Sequence, residues 1–318
     1  MWFKYNFMKL RPLLRHMFDS VLQSKLRVKL KTTFSFVLSL LVLGTSLAQT
    51  PANDKTASTT PQPRIITLAP HLAQLAHAAG AGAYLVGVSE YTPKTYQAKL
   101  PTVGNAYGVD WKRVAALKPS LALVWGSGTS QATQARLKAL GIPMFVSEPK
   151  TLLQIEHEAL ALAERLGLPD THPNLLALHA SLAEIGNFQL TNSSMFRKPS
   201  EQNSVFHPIW HKPLMTISNQ HVINDALSYC ALSNVFATAP GLSPTVSAAQ
   251  VLRARPAYLL LAQDSSQNMN RTLAQYAFLL DAFPAALRPK PVFVNGDNFH
   301  QPGPSMIAET LRLCQQLH

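Results

Sequence analysis

The sequence predicts an α/β fold made of two parallel-sheet halves with a helix between them. Three observations carry this. Short apolar runs alternate with helix-patterned segments in units of roughly 20–30 residues. The alternation stops at a polar stretch near 190–203 and then resumes. A further helical segment, 172–187, lies just before that stretch.

RIITLA (64–69) reads as a strand, and HLAQLAHAAG after it as a helix of small apolar residues stopped by Gly80 and Gly82. YLVGVS (84–89) is a second strand, ending at Glu90-Tyr91-Thr92-Pro93. Residues 109–117 form a short helix closed by Lys118-Pro119, and LALVW (121–125) is a third strand. GSGTS leads into the helix QATQARLKALG, PMFVS (143–147) is a fourth strand, and 151–167 is a helix. In the second half SVFHPI, AYLLLA (257–262) and PVFVNG (291–296) are strands. Helices are expected near 221–230, 271–281 and 306–317.

The first 48 residues stand apart. Lys25, Arg27, Lys29 and Lys31 precede the apolar run 34–44, and Thr45-Ser46-Leu47-Ala48 supplies small residues at a cut site. That is a secretory signal, with cleavage expected near Ala48 and a true start at Met1, Met8 or Met17. The apolar core is short for a spanning helix. Residues 49–63 read as a flexible tether rich in Pro, Thr and Ser. Eight Lys/Arg and one Asp lie within 1–48, so seven of the twelve net positive charges leave with the leader and +5 remains. No basic stripe interleaved with aromatics points to nucleic acid. Cys230 and Cys314 would be carried to an oxidising compartment, as a disulfide or as two buried thiols.

Ligands of open α/β sheets bind beyond the carboxyl ends of the strands. The residues there are Pro70, His71, Tyr91, Trp125, Gly126, Ser127, Gly128, Trp210, His211, Asp297, Asn298 and Phe299. So many aromatics at strand ends point to a large, flat, apolar ligand, although each alone also fits ordinary packing. Common catalytic motifs fail. Gly80-Ala81-Gly82 follows a helix, the reverse of a dinucleotide fingerprint. GSGTS lacks a nucleophile elbow, although its N–H groups could hold an anion. Pro208 breaks any helix that would align His207 with His211, and the other histidines show no zinc spacing, so no metal site is read.

RIITLAP, LVGVSEY, LPTVG, VAALKPSLALVW and LKALGIPMFV together resemble the N-terminal lobe of substrate-binding proteins of ABC importers. LMTISNQHVINDALSYC, NVFATAPGLSPTVSAAQVLRARP and PVFVNGDNFHQPGPSM resemble the second lobe. The class has two Rossmann-like lobes joined by one long rigid helix (class III periplasmic binding proteins) and serves cobalamin, haem and siderophores. The resemblance implies lobes at 64–171 and 191–318 and a connecting helix at 172–190.

Within the class, cobalamin binders look nearest. The resemblance implies ligand contact by Tyr91, Trp125 and the turn Asp297-Asn298-Phe299, and pairing of Cys230 with Cys314. A ligand-facing Trp of the class is replaced in Asn105-Ala106-Tyr107, where Tyr107 could take its role. Trp210 and Gly126 are expected at the same cleft, with Pro70 and His71 closing one edge. Each lobe of the class docks on its permease through a surface glutamate, but the matching positions here are Lys112 and Ala249. The expectation is a periplasmic, monomeric, non-catalytic protein that captures cobalamin (vitamin B12) for an ABC permease-ATPase complex. Haem or a ferric siderophore is the alternative ligand. A different class, an exported hydrolase, would use Ser127 or Ser130 with His71 or His300.

Overall fold

The computed structural model describes residues 62–318 except 98, 106, 193–200 and 264–267. The leader and most of the tether lie outside the described residues, as does the middle of the polar stretch before the second half.

The first sheet has six strands in the order β4-β3-β2-β1-β5-β6. They are β1 (Ile65–Thr67), β2 (Leu85–Ser89), β3 (Thr102–Asn105), β4 (Gly108–Val109), β5 (Leu121–Trp125) and β6 (Met144–Ser147). All neighbours pair parallel except β3 with β4. Helices α1 (Pro70–Ala78), α2 (Trp111–Leu117), α3 (Gln131–Ala139) and α4 (Leu152–Arg165) connect or follow them. The second sheet, β10-β7-β11-β12, is wholly parallel. Its strands are β7 (Ser204–Phe206), β10 (Ser233–Asn234), β11 (Tyr258–Gln263) and β12 (Lys290–Asn295). A hairpin, β8 (Trp210–His211) with β9 (Leu214–Met215), stands apart from it. Helix α5 (Pro173–Thr191) runs between the two sheets in sequence; α6 (Val222–Tyr229), α7 (Ala248–Ala254), α8 (Met269–Gln275) and α9 (Pro304–Leu317) belong to the second half.

Side-chain chemistry sets these boundaries. Asp110 and Ser130 cap α2 and α3 by accepting from Arg113 N (3.0 Å) and Thr133 N (3.2 Å). Ser247 and Gln250 form a capping box on α7. The first strand of the second half is shorter than SVFHPI suggests: Pro208 has no N–H to give a ladder, so β7 stops at Phe206. Strand β3 was not anticipated, because its two strand-favouring residues, Thr102 and Val103, are followed at once by Gly104 and Asn105, which strands disfavour; the edge of β2 orders it, with Glu90 N donating to Gly104 O at 2.8 Å.

One apolar core spans both sheets. It joins Ile65, Leu121 and Leu123 of the first to Leu260, Val292 and Val294 of the second, through a layer of helices. Helix α4 turns Leu152, Ile155, Ala159 and Leu162 into that layer, and α5 turns Leu175, Leu178, Leu182 and Ile185, the spacing of one helical face. Polar bonds reinforce it. Leu152 N donates to Asp225 Oδ2 (2.8 Å), and Gln74 bonds both Gln301 Oε1 (3.2 Å) and Ser305 N (3.1 Å). The outer faces of the sheets have their own separate cores, under α2 and α3 in the first and under α7 in the second. Among the described residues, no helix is long and apolar enough to cross a membrane.

Candidate functional site

In each sheet the strand order reverses beside the first strand, between β1 and β5 and between β7 and β11. Such switch points open a crevice at the carboxyl ends of the strands. A histidine sits just past the first strand in both: His71 two residues from Ala69, and His207 next to Phe206.

His71 is buried, and its ring meets the Trp125 indole edge-on at 5.3 Å. Trp125 ends β5 and is held by its own turn: Thr129 Oγ1 accepts from Trp125 N at 3.1 Å, and Thr129 N donates to Trp125 O at 2.8 Å. A Cβ at Gly128 would run into the indole, so this turn needs glycine. Burial pushes His71 down to about 3, against a smaller opposing pull from Glu148. The imidazole is therefore neutral at pH 7.

Glu148 anchors the first-lobe rim. It accepts from Ser127 N (2.6 Å), Ser127 Oγ (3.1 Å) and Lys150 Nζ (2.8 Å). Burial would lift its pKa, but these donors outweigh that and hold it below the usual carboxylate value. Behind it, burial raises Glu158, although Ser147 Oγ and Glu148 N both donate to it.

The second-lobe rim is a relay of uncharged histidines. His207 Nδ1 donates to Leu260 O at 2.8 Å. Its Nε2 must then accept, so His300 Nε2 donates to it at 3.1 Å. Burial drives His207 to about 3 and His300 to about 4. His221, also near 4 through burial, caps α6 by accepting from Ile223 N at 3.1 Å.

Trp125, Glu148 and Lys150 face Gln220, His221 and His300 across a seam whose enclosed volume is about 20 Å³. That is room for about one water. Tyr91, Tyr107 and Trp210, exposed near other strand ends, are not part of this lining.

The sequence-predicted residues divide accordingly. Trp125 lines the seam, Gly126 packs under Glu148, and Pro70 begins α1 beside His71. Tyr91, Tyr107 and Trp210 follow the ends of β2, β3 and β7 and are 79%, 99% and 54% exposed. Trp210 is braced by its indole N–H, which donates to Lys212 O at 2.8 Å. Asp297 and Asn298 lie in a single helical turn after β12, with Asp297 acting electrostatically on His300. Phe299 is the exception. It is wholly buried, edge-on to His207 at 5.7 Å, and packs the relay instead of offering a stacking face. Ser127 donates to Glu148 and Ser130 to Thr133, so neither has the histidine partner that the hydrolase reading requires. Sequence reasoning missed Glu148, Lys150, Gln220 and His221. For Glu148 and Lys150 the signal was Ser147-Glu148-Pro149-Lys150 at the end of β6, a strand end like the others. Among the described residues, no group of three or more His, Cys, Asp or Glu is placed to hold a metal ion.

Tyr91 has φ 63°. A non-glycine residue there costs about 1–2 kcal/mol, and glycine in turn costs about 0.5–1 kcal/mol of chain entropy. We expect Tyr91→Gly to leave the fold unchanged or up to about 1 kcal/mol more stable. Urea midpoints check this; a clear loss would mean that the exposed ring has a structural role.

Two α/β lobes welded by a helical layer, with facing switch points and aromatic strand ends, define the two-lobed, helix-joined class of substrate-binding proteins. No protein-family model matches the sequence. The vitamin B12-binding protein of Photorhabdus laumondii is 33% identical over 258 residues, 80% of this chain and 88% of that protein. The chain belongs to the vitamin B12-binding protein family. The crystal structure of the periplasmic vitamin B12-binding protein of Vibrio cholerae matches with a TM-score of 0.68 and 27% identity, over 81% of this chain and 98% of that one. The periplasmic haem-binding protein of Vibrio cholerae shares the fold, with a TM-score of 0.64 at 17% identity over 80% and 99% of the two chains.

Proposed function

We propose that this chain captures a corrinoid, cobalamin above all, at the mouth of the seam, and presents it to an importer in the membrane. The observation that carries the ligand is the charge of the rim. The lining cation, Lys150, is tied to Glu148, while His221 and His300 are neutral. A corrin bears uncharged amide arms, which such a rim can bond from both lobes. Haem bears two propionates, and burying them here would leave their charges without partners. The aromatics at the strand ends then offer faces to the macrocycle: Trp125 from within the seam, Tyr91, Tyr107 and Trp210 from its margin. The exposed phenol of Tyr91 is the feature that favours haem, since it could ligate iron.

Calorimetry with cyanocobalamin and hemin separates the two. Saturable heat with cyanocobalamin supports the reading; heat with hemin alone overturns it. Trp125→Ala should weaken corrinoid binding by about 1–3 kcal/mol, about five- to 150-fold, the scale for burying a large side chain. Unchanged affinity would remove Trp125 from the site.

The partner proposal rests on α2 and α7. They match in register: Val114 and Val251 are buried, Lys112 and Ala249 are exposed, and Lys118 and Arg255 end the helices at φ 46°. Both helices leave basic residues exposed, Lys112 and Lys118 on α2, where Arg113 is paired with Asp110, and Arg253 and Arg255 on α7. A permease surface rich in arginine would be repelled, so the fitting partner is acidic there. Lys112→Glu should weaken docking on the cognate permease in detergent; stronger docking would overturn this.

A further inference from the structure

We propose that a pocket set back from the seam, where α1, α5 and the start of α9 meet, is a second ligand site for a small, flat, uncharged molecule bearing an amide or ring N–H. The pocket has a volume of about 300 Å³, against about 20 Å³ for the enclosed seam. That places it at the lower end of small-molecule sites, which run from about 300 to 1,000 Å³. It shares no lining residue with the seam, and lies one to two turns along α1 from His71.

Its walls come from three parts of the fold. Helix α1 gives Gln74 and His77, the single turn Lys94–Gln97 gives Tyr96, and α5 gives Asn174, Ala177 and Ser181. Pro304, the first residue of α9, closes the end. These groups choose the ligand. His77 and Tyr96 form an edge-to-face pair at 5.1 Å, a rigid aromatic wall. The side chains Ala177 and Ser181, both small, line the same pocket from α5. Asn174 uses its Nδ2 on His77 O at 2.7 Å, so its carbonyl Oδ1 is the acceptor that this wall offers. Gln74 is committed to Gln301 and Ser305 and forms a fixed floor.

Every lining side chain is uncharged. Burial lowers the His77 pKa, which keeps its imidazole neutral at pH 7. A charged guest would find no counter-charge among these lining groups. The pocket also joins the first lobe, the connector and the second lobe, so an occupant would touch all three.

Benzamide is the probe, and benzoate, the same shape with a charge, is its control. Titrated into the purified protein and followed by amide NMR, benzamide should shift Gln74–Ala78 and Asn174–Ser181 saturably, with benzoate at least about tenfold weaker. Ala177→Trp, which fills the pocket, should abolish the shifts; Ser181→Leu serves if that variant does not fold. Non-saturating shifts, equal binding of benzoate, persistence in a folded blocking variant, or shifts centred on the Trp125 indole N–H would each overturn the proposal.

Discussion

Acidification from pH 7 to about pH 4.5 is expected to unfold this protein. The cause is four buried histidines. His71 and His207 are held near 3 and His221 and His300 near 4, in each case mainly by burial, whereas in the unfolded chain each returns to 6.5. The native pKa values are depressed, so the unfolded state binds more protons throughout the window between the two values. Stability is complete above about pH 6.5 and falls as pH drops through that window. With four protons at stake, the slope near pH 5 is roughly 5 kcal/mol per pH unit. A typical domain has only about 5–15 kcal/mol in all. The opposing groups are Glu158 and Asp225, whose raised pKa values make the native state the better proton binder and blunt the slope. Neighbouring charges are already part of the balance: Glu148 acts on His71 and His221, and Asp297 on His300. Urea midpoints at pH 7.5, 6.0 and 5.0 test this, and a flat profile would refute it. His207→Asn keeps a polar group but cannot titrate there, so it should reduce the slope by roughly a quarter.

The same histidines show what a sequence hides. His71 and His207 were visible as residues near strand ends, but their neutrality was not, because it depends on burial beneath Gly303 and against Leu260, both far away in the chain. The strands β5 and β6 and the helices α4 and α5 were legible because each carries a strong period of its own. Strand β3 was not, since the edge of β2 orders it. The same distinction applies to the site. Trp125 announces itself, as an aromatic closing a run of four buried apolar residues. Glu148 and Lys150 look like ordinary solvated charges until the second lobe is set against them. Phe299 erred the other way: an aromatic at a strand end can face inward as readily as outward, and here the His207 ring decides which.

Cutting the Cys230–Cys314 bridge should cost about 4–5 kcal/mol, the largest single-site loss of stability expected in the molecule. The bond joins the end of α6 to the last turn of α9, 84 residues apart, and both cysteines are buried. Its chain-entropy value grows with the logarithm of that loop, so a long closure stabilises more than a short one. Packing makes the loss harder to absorb. Both α6 and α9 belong to the helical layer that serves the two sheets, and the Cys230 sulfur packs 3.4 Å from Thr310 O of α9. Loosening α9 would release Gln74 from Ser305, and with it the junction between the lobes. The double variant Cys230→Ser/Cys314→Ser should therefore unfold at a markedly lower urea concentration, with ligand affinity falling only as far as the lobes drift apart. Serine would also leave two buried hydroxyls in need of partners, so Cys230→Ala/Cys314→Val is the cleaner pair. If that pair unfolds within about 1 kcal/mol of the parent, the bridge is an accessory, and the shared core alone holds the lobes in register.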